Sequence, residues 1–419
     1  MRKVLFFVIY IIILGFCSCS SNIDSSSLTK IDKKYIVKES VQPIQEKLNA
    51  VNTQKDDNPK VNYDEMRAVW MSYIDLSPML TGKTEIEFKN NFDNACKNIK
   101  DLNCNTIFVH VRPFGDALYK SELYPCSKYI TGAYIEKLPF DPLEIMVDTA
   151  HNYGLSIHAW INPFRLENED AFKKYKDSYL IKQWYKNKNG YVCKVENDNH
   201  LWLNPGFSDV RKLIADGVEE IAQNYNVDGI HFDDYFYPTT DESFDKQCYV
   251  SVGGDKSLSL WRLENVSNVV QMIYNSVKSV NKNIVVGVSP QGNIENNYSY
   301  MYADVKKWGS TQGYVDYICP QIYFGYNNPV KPFLETLKEW KETVTCKDVK
   351  LYIGLAVYKV LEGDEEFAEN TGIISRQIED VFLSPGCKGF ALYNYINVFS
   401  DKKRAVEELS SIRNVLSEK

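Results

Sequence analysis

The sequence predicts a (β/α)8 TIM barrel, and three observations carry that prediction. From Met66 onward, eight short runs rich in Val, Ile and aromatic residues alternate with helix-like stretches. The runs read as near-continuous apolar segments, the pattern of parallel strands covered on both faces. Polar and aromatic residues gather where each run stops, as they do at the C-terminal mouth of a closed barrel. An open doubly wound sheet is the rival, but no Gly-x-Gly-x-x-Gly follows any strand, so its dinucleotide-binding form lacks support.

The elements follow in order. Strand-like runs fall at 68–74, 106–111, 156–161, 229–233, 284–289, 317–323, 351–357 and 389–393. The helix-like stretch 85–102 repeats apolar residues at Ile86, Phe88, Phe92, Ala95, Ile99 and Leu102. The stretch 142–153 starts after Asp141, a cap with Pro142 in the first turn. In 208–225 the candidate cap is Ser208. Further helices are expected at 259–280, around 300–309, and at 332–343, 371–382 and 400–415. Two connections are long: 112–141 after the second strand and 162–207 after the third. Long βα loops lie at the mouth, where barrel enzymes build their sites.

The 419 residues, 44% hydrophobic and 25% charged, suit an ordinary globular protein with a large core. A net charge of -7 without a basic cluster argues against nucleic acid as a partner. Arg2 and Lys3 precede an apolar run, 5–16, too short to span a membrane comfortably. The run ends Leu14-Gly15-Phe16-Cys17-Ser18-Cys19-Ser20. This resembles a bacterial lipoprotein signal occupying 1–19. Cys19, after the small Ser18, is the favoured lipidation site. Cys17 competes, with Leu14 three residues upstream but bulky Phe16 beside it. Plain secretion and an uncleaved anchor are the other readings. Residues 20–62, rich in Ser, Lys, Asp and Asn, read as a flexible tether, leaving 63–419 as the barrel domain. Localisation at the cell membrane, outside the cytoplasm, follows from the lipid. No CxxC occurs among the ten Cys, so no structural zinc site is expected.

The fourth run carries the chemistry: Val227-Asp228-Gly229-Ile230-His231-Phe232-Asp233-Asp234-Tyr235-Phe236-Tyr237-Pro238. An apolar strand has no packing reason to end in two adjacent carboxylates, because charged side chains are rarely buried unless paired. Strand alternation puts His231, Asp233 and Tyr235 on one face and Phe232, Asp234 and Phe236 on the other. Asp233 is therefore expected to face the barrel axis, with Asp234 at the rim and free to turn inward. Glycoside hydrolysis uses one protonated and one charged carboxyl, and neighbouring acids push their pKa values apart. A 2-acetamido group on the sugar offers a nucleophile, with one acid polarising the amide and the other donating the proton. Direct attack needs an acid across the mouth, Asp75 or Asp116 by position; no Glu ends the fifth, sixth or seventh strand.

Substrate contacts are expected from residues at the other strand tips. His110, Arg112, His231, Asn162, Gln291, Asn293, Gln321 and Asn394 could bind hydroxyls or an amide. Trp160, Tyr235, Tyr237 and Tyr323 offer ring faces. HExxH, P-loop, EF-hand and GxSxG signatures are missing, as are metal-spaced His and acid clusters, so no metal, cofactor or α/β-hydrolase site is expected.

The chain resembles the glycosyl-hydrolase-like family ten. The resemblance rests on Met66-Arg67-Ala68-Val69-Trp70, Thr106-Ile107-Phe108-Val109-His110-Val111-Arg112-Pro113, His158-Ala159-Trp160-Ile161-Asn162-Pro163, Trp202-Leu203-Asn204-Pro205-Gly206, the strand-four segment and Cys319-Pro320-Gln321-Ile322-Tyr323. It spans about 64–396 and implies a TIM-barrel hydrolase of bacterial cell-wall glycan. At least one relative acts on peptidoglycan strands stripped of their peptides. The family's strand-four acid maps to Asp233, with Asp234 beside it. Strand four also resembles the chitinase signature at Asp228-Gly229 and Asp233, but departs from it at Tyr235, where chitinases place a Glu. The expected activity is hydrolysis of peptidoglycan glycan or another 2-acetamido polymer. A barrel that binds carbohydrate without cleaving it, and a hydrolase of another extracellular polysaccharide, are the alternatives.

Overall fold

The computed structural model describes residues 63–362 and 365–417. The expected signal, tether and lipid-bearing cysteine fall within 1–62 and lie outside the described residues. Eight parallel strands close a barrel: β1 (Met66–Met71), β2 (Thr106–Arg112), β3 (Ser156–Ile161), β4 (Gly229–Phe232), β5 (Val285–Val288), β6 (Tyr317–Ile318), β7 (Lys350–Ala356) and β8 (Cys387–Tyr393). Each strand pairs with its chain neighbours, and β1 closes on β8 with Ala68 opposite Ala391. Closure leaves no unpaired sheet edge.

Three strands depart from the expected pattern for local reasons. The first stops at Met71, because Ser72 caps a helix, Tyr73–Leu80, that takes the end of the expected run. The sixth pairs regularly over only two residues, because Pro320 has no N–H to donate; Gln321 beyond it still bridges Gln291 and Gly354. In β2 the register with β3 slips between His110 and Arg112. Val111 is the extra residue of this bulge, and an extra residue inverts the side-chain alternation that follows it.

The helices are capped as the sequence suggests, with exceptions. Asp141 accepts from the backbone N–H groups of Leu143 and Glu144, and Pro142 opens the helix Pro142–Asn152. Helix Glu85–Asp101 carries a Thr84/Glu87 capping box and buries Phe88, Phe92, Ala95 and Ile99. Ser208 is not a cap: it is the first helical residue, Phe207 holds the cap position, and no side chain caps there. The helix expected around 300–309 is two short ones, Ile294–Ser299 and Val305–Ser310, separated by Tyr302 at φ +53°. The stretch 400–415 is helical only from Lys403.

Rings and histidines fill the barrel interior: Trp70, Phe108, His158, His231, Tyr317 and Tyr352 are all buried there. Glycine makes the space. A Cβ on Gly229 would stand 2.6 Å from the His158 ring, and one on Gly287 would stand 1.9 Å from the Tyr317 ring. One hydrogen-bond chain links these groups. Trp70 Nε1 donates to His231 Nε2 at 3.1 Å, so that nitrogen carries no proton. His231 Nδ1 then donates to the Tyr317 hydroxyl at 2.9 Å, and the hydroxyl donates to His158 Nδ1 at 2.9 Å. Burial pushes His231 well below its ordinary pKa and His158 down to about 3, so both stay neutral.

The long connection after β3 holds structure that the sequence pattern does not announce. Strands Arg165–Asn168, Val192–Lys194 and His200–Leu203 form a small antiparallel sheet with His200–Leu203 in the centre. Helices Glu169–Lys174 and Leu180–Asn187 accompany it. Among the described residues no helix is long and apolar enough to cross a membrane. Gly287→Ala must displace a ring that its neighbours hold, and it is expected to cost ~1–3 kcal/mol of stability in urea unfolding.

Candidate active site

The strand tips surround a hollow of about 140 Å³. That is smaller than a drug-sized pocket of roughly 300–1,000 Å³ and suits one ring. Trp70 and Trp160 come from β1 and β3; Asp233, Asp234 and Tyr235 follow β4. Ser289 and Gln321 follow β5 and β6, and Tyr323, Tyr358 and Tyr393 complete the aromatic wall.

Asp233 is buried. Its Oδ2 accepts from Trp160 Nε1 at 2.9 Å and its Oδ1 from the Tyr235 N–H at 3.3 Å. Burial and the adjacent Asp234 push its pKa up to about 8, so it holds a proton at neutral pH. Burial raises Asp234 as well, but carboxamides from Gln321 and Gln291 favour its charged form. Gln321 Nε2 donates to Asp234 Oδ1 at 3.1 Å and to the Ser289 carbonyl at 3.0 Å, so its amide is fixed in one orientation. The asymmetry orders the pair: Asp234, favoured by the carboxamides, gives up its proton before Asp233.

Other expected residues support this hollow without lining it. His110 stacks on Trp160, ring centroids 3.8 Å apart, and burial keeps it neutral. Asn162 Nδ2 donates to the Pro113 carbonyl at 2.5 Å, tying the loop after β3 to the loop after β2. His231 lies beneath Trp70 and fixes its indole.

Several expected contacts are placed elsewhere. The β2 bulge turns Arg112 out of the barrel, under the Tyr124 ring at 4.4 Å and against Gly217 of helix Ser208–Asn224. Asn293 caps helix Ile294–Ser299. Asn394 donates to both oxygens of Asp75, at 3.0 and 2.9 Å. Asp75 closes a capping box with Ser72, which removes it as an acid across the mouth. Asp116 is buried in the loop after β2, accepts from the Phe114 N–H, and is pushed up to about 6, first by burial. Tyr237 packs against Phe244 and Tyr302. Asp233 and Asp234 are thus the two carboxyls that line the hollow.

Sequence reasoning missed Trp70, Ser289, Tyr358 and Tyr393 as lining residues, although Tyr358 and Tyr393 stand at strand tips. It also missed Arg165, whose guanidinium lies 3.6 Å over the Tyr235 ring and 4.7 Å over Phe114. No strand-tip rule finds a residue delivered by an inserted sheet.

A closed eight-stranded barrel with this hollow at its strand ends is a TIM-barrel protein of the kind found among glycoside hydrolases. The glycoside hydrolase domain of PgaB (BpsB) from Bordetella bronchiseptica shares the fold at a TM-score of 0.55 and 11% identity, covering 85% of this chain and 99% of that one. The catalytic domain of β-amylase from Paenibacillus polymyxa does so at 0.55 and 12%, covering 85% and 99%. The glycosyl hydrolase-like 10 family model matches residues 65–369, and the chain belongs to that family. It is 30% identical over 319 residues to glycosyl hydrolase YngK of Bacillus subtilis, 71% of this chain but only 61% of that protein. Against glycosyl hydrolase DigH of Escherichia coli K12 it is 30% identical over 371 residues, 79% of this chain and 84% of that one.

The raised pKa of Asp233 sets a stability trend. An unfolded Asp releases its proton near pH 3.9, whereas the folded one keeps it to about pH 8. The neutral acid's contribution is whole below pH ~4 and is lost as the pH climbs to the folded value. Asp233→Asn removes this trend. Urea unfolding at pH 5 and at pH 8 should show the parental protein losing ~1 kcal/mol per pH unit more than the variant.

Proposed function

We propose that this chain is a surface-anchored glycoside hydrolase that cleaves peptidoglycan glycan strands or a closely related 2-acetamido polymer. Family membership supports the class. The observation that carries the chemistry is the pairing of a proton-holding Asp233 with an anionic Asp234 in one aromatic-walled hollow. A sugar ring seated there stacks on indole and phenol faces, while polar groups hold its hydroxyls.

Asp233 is the general acid. Its proton passes to the glycosidic oxygen as the bond from that oxygen to the anomeric carbon breaks. Asp234 orients and polarises the 2-acetamido group, whose carbonyl oxygen closes on the anomeric carbon. Water then opens this cyclic intermediate, giving up a proton to Asp233 and releasing the reducing sugar. Direct attack by a carboxylate has less support, because Asp75 and Asp116 are both committed to backbone partners. Trp160 holds the acid through its indole N–H, and the carboxamides of Gln291 and Gln321 hold the anion.

Asp233→Asn is expected to lower kcat on peptide-free glycan strands ~10²–10⁴-fold, read by mass spectrometry of the products. Near-parental cleavage would end the assignment. Tight glycan binding without product release from the parental protein would instead identify a binding barrel. For the anchor, Cys19→Ser should abolish palmitate incorporation and release the protein from membranes, while Cys17→Ser should leave both in place.

A further inference from the structure

Arg165 is held by aromatic rings rather than by a contact ion. Strand Arg165–Asn168 delivers it, opposite Trp202, above the mouth. The guanidinium lies between Tyr235 at 3.6 Å and Phe114 at 4.7 Å. Its Nε is buried without a hydrogen-bond partner, and among the described residues no carboxylate lies within ion-pair distance. Tyr235 is a wall of the hollow, and its backbone N–H is on Asp233. The cation is thus one ring away from the acids, held by aromatic faces rather than neutralised by a contact ion.

We infer that Arg165 is a positioning residue of this site: the clamped guanidinium sets which protonation state the Asp233–Asp234 pair adopts. The glycosidase reading underlies the kinetic half of this inference, and the titration half stands without it. The groups facing the pair leave Arg165 as the permanent charge. β1 supplies Trp70, which does not titrate. β3 supplies Trp160, with His110 behind it held neutral by burial. The segments after β5 and β6 supply the carboxamides of Gln291 and Gln321. The phenols of Tyr235, Tyr323 and Tyr393 are pushed above their ordinary value, first by burial, and stay neutral around pH 7; Tyr358 completes the wall. Asp75, behind Tyr393, is spent on its capping box. His231, below, is neutral.

A nearby cation favours the charged form of a carboxyl and opposes the effect of burial. It acts on both acids here. Without it both hold their protons to higher pH, and Asp234 becomes anionic only at a correspondingly higher pH. The sign is the same for each, so both limbs of a bell-shaped rate profile move together.

The test uses the full chain with Arg165→Gln, Arg165→Met, which keeps the apolar stem over Tyr235, and Arg165→Lys, which keeps the charge. Carboxyl carbons are titrated by NMR in Asp-labelled protein, with Asp233→Asn and Asp234→Asn identifying the two signals. In parallel, kcat/KM against pH is measured on peptide-free glycan strands. Both neutral variants should raise the two titrations by about one pH unit and carry both kinetic limbs upward, with Arg165→Lys close to the parental protein. Folded neutral variants that titrate like the parental protein overturn the inference. So does failure of both neutral variants to fold, which would make Arg165 a structural pillar. If the parental protein cleaves no glycan, the glycosidase reading falls while the titration still decides the role of Arg165.

Discussion

Asp233 is buried and Asp234 half-buried in one small hollow at the barrel mouth, and two adjacent acids placed so do not readily both carry a charge. The arrangement around them follows from this constraint. One acid keeps its proton, and the other is stabilised by donors. Trp160 and the Tyr235 backbone hold Asp233 in place, yet do not outweigh its burial. The carboxamides favour the charge on Asp234. An acid that retains its proton above neutrality has one to give, the property on which the proposed chemistry draws.

The barrel interior serves that pair from below. Trp70 forms one wall of the hollow, and its indole N–H is committed to His231. The chain through Tyr317 to His158 fixes every tautomer along the way. Gly229, Gly287 and Gly354 admit the rings of His158, Tyr317 and Trp70. The wall of the site is therefore set by a polar ladder inside a core that is otherwise hydrophobic. Each link fixes the tautomer of the next, and in that way the ladder specifies one arrangement.

Above the mouth the inserted sheet plays the matching part. Trp202 leans on Tyr235, and Arg165 covers the same ring from the neighbouring strand. This sheet belongs to the long loop after β3, where barrel proteins vary most freely. The barrel interior and the inserted sheet thus meet at the hollow through Trp70 and Tyr235.

The sequence alone determined the barrel, the order of its strands and the place of the acid pair. Period, composition and strand-end residues are local properties, and eight repetitions made them legible. It also marked Trp160, Tyr235, Tyr323, Gln291 and Gln321 near the acids, because each sits at or just beyond a strand end. Tertiary structure alone decided the rest. Arg112 turns away because one bulged residue inverts the alternation after His110. Asn293, Asn394 and Asp75 satisfy helix ends and one another, a claim on their polar atoms that no spacing rule reveals. Arg165 reaches the site on a sheet whose strands span only a few residues each. Which partner a polar side chain finds depends on segments distant in the chain, and only packing in three dimensions brings those together.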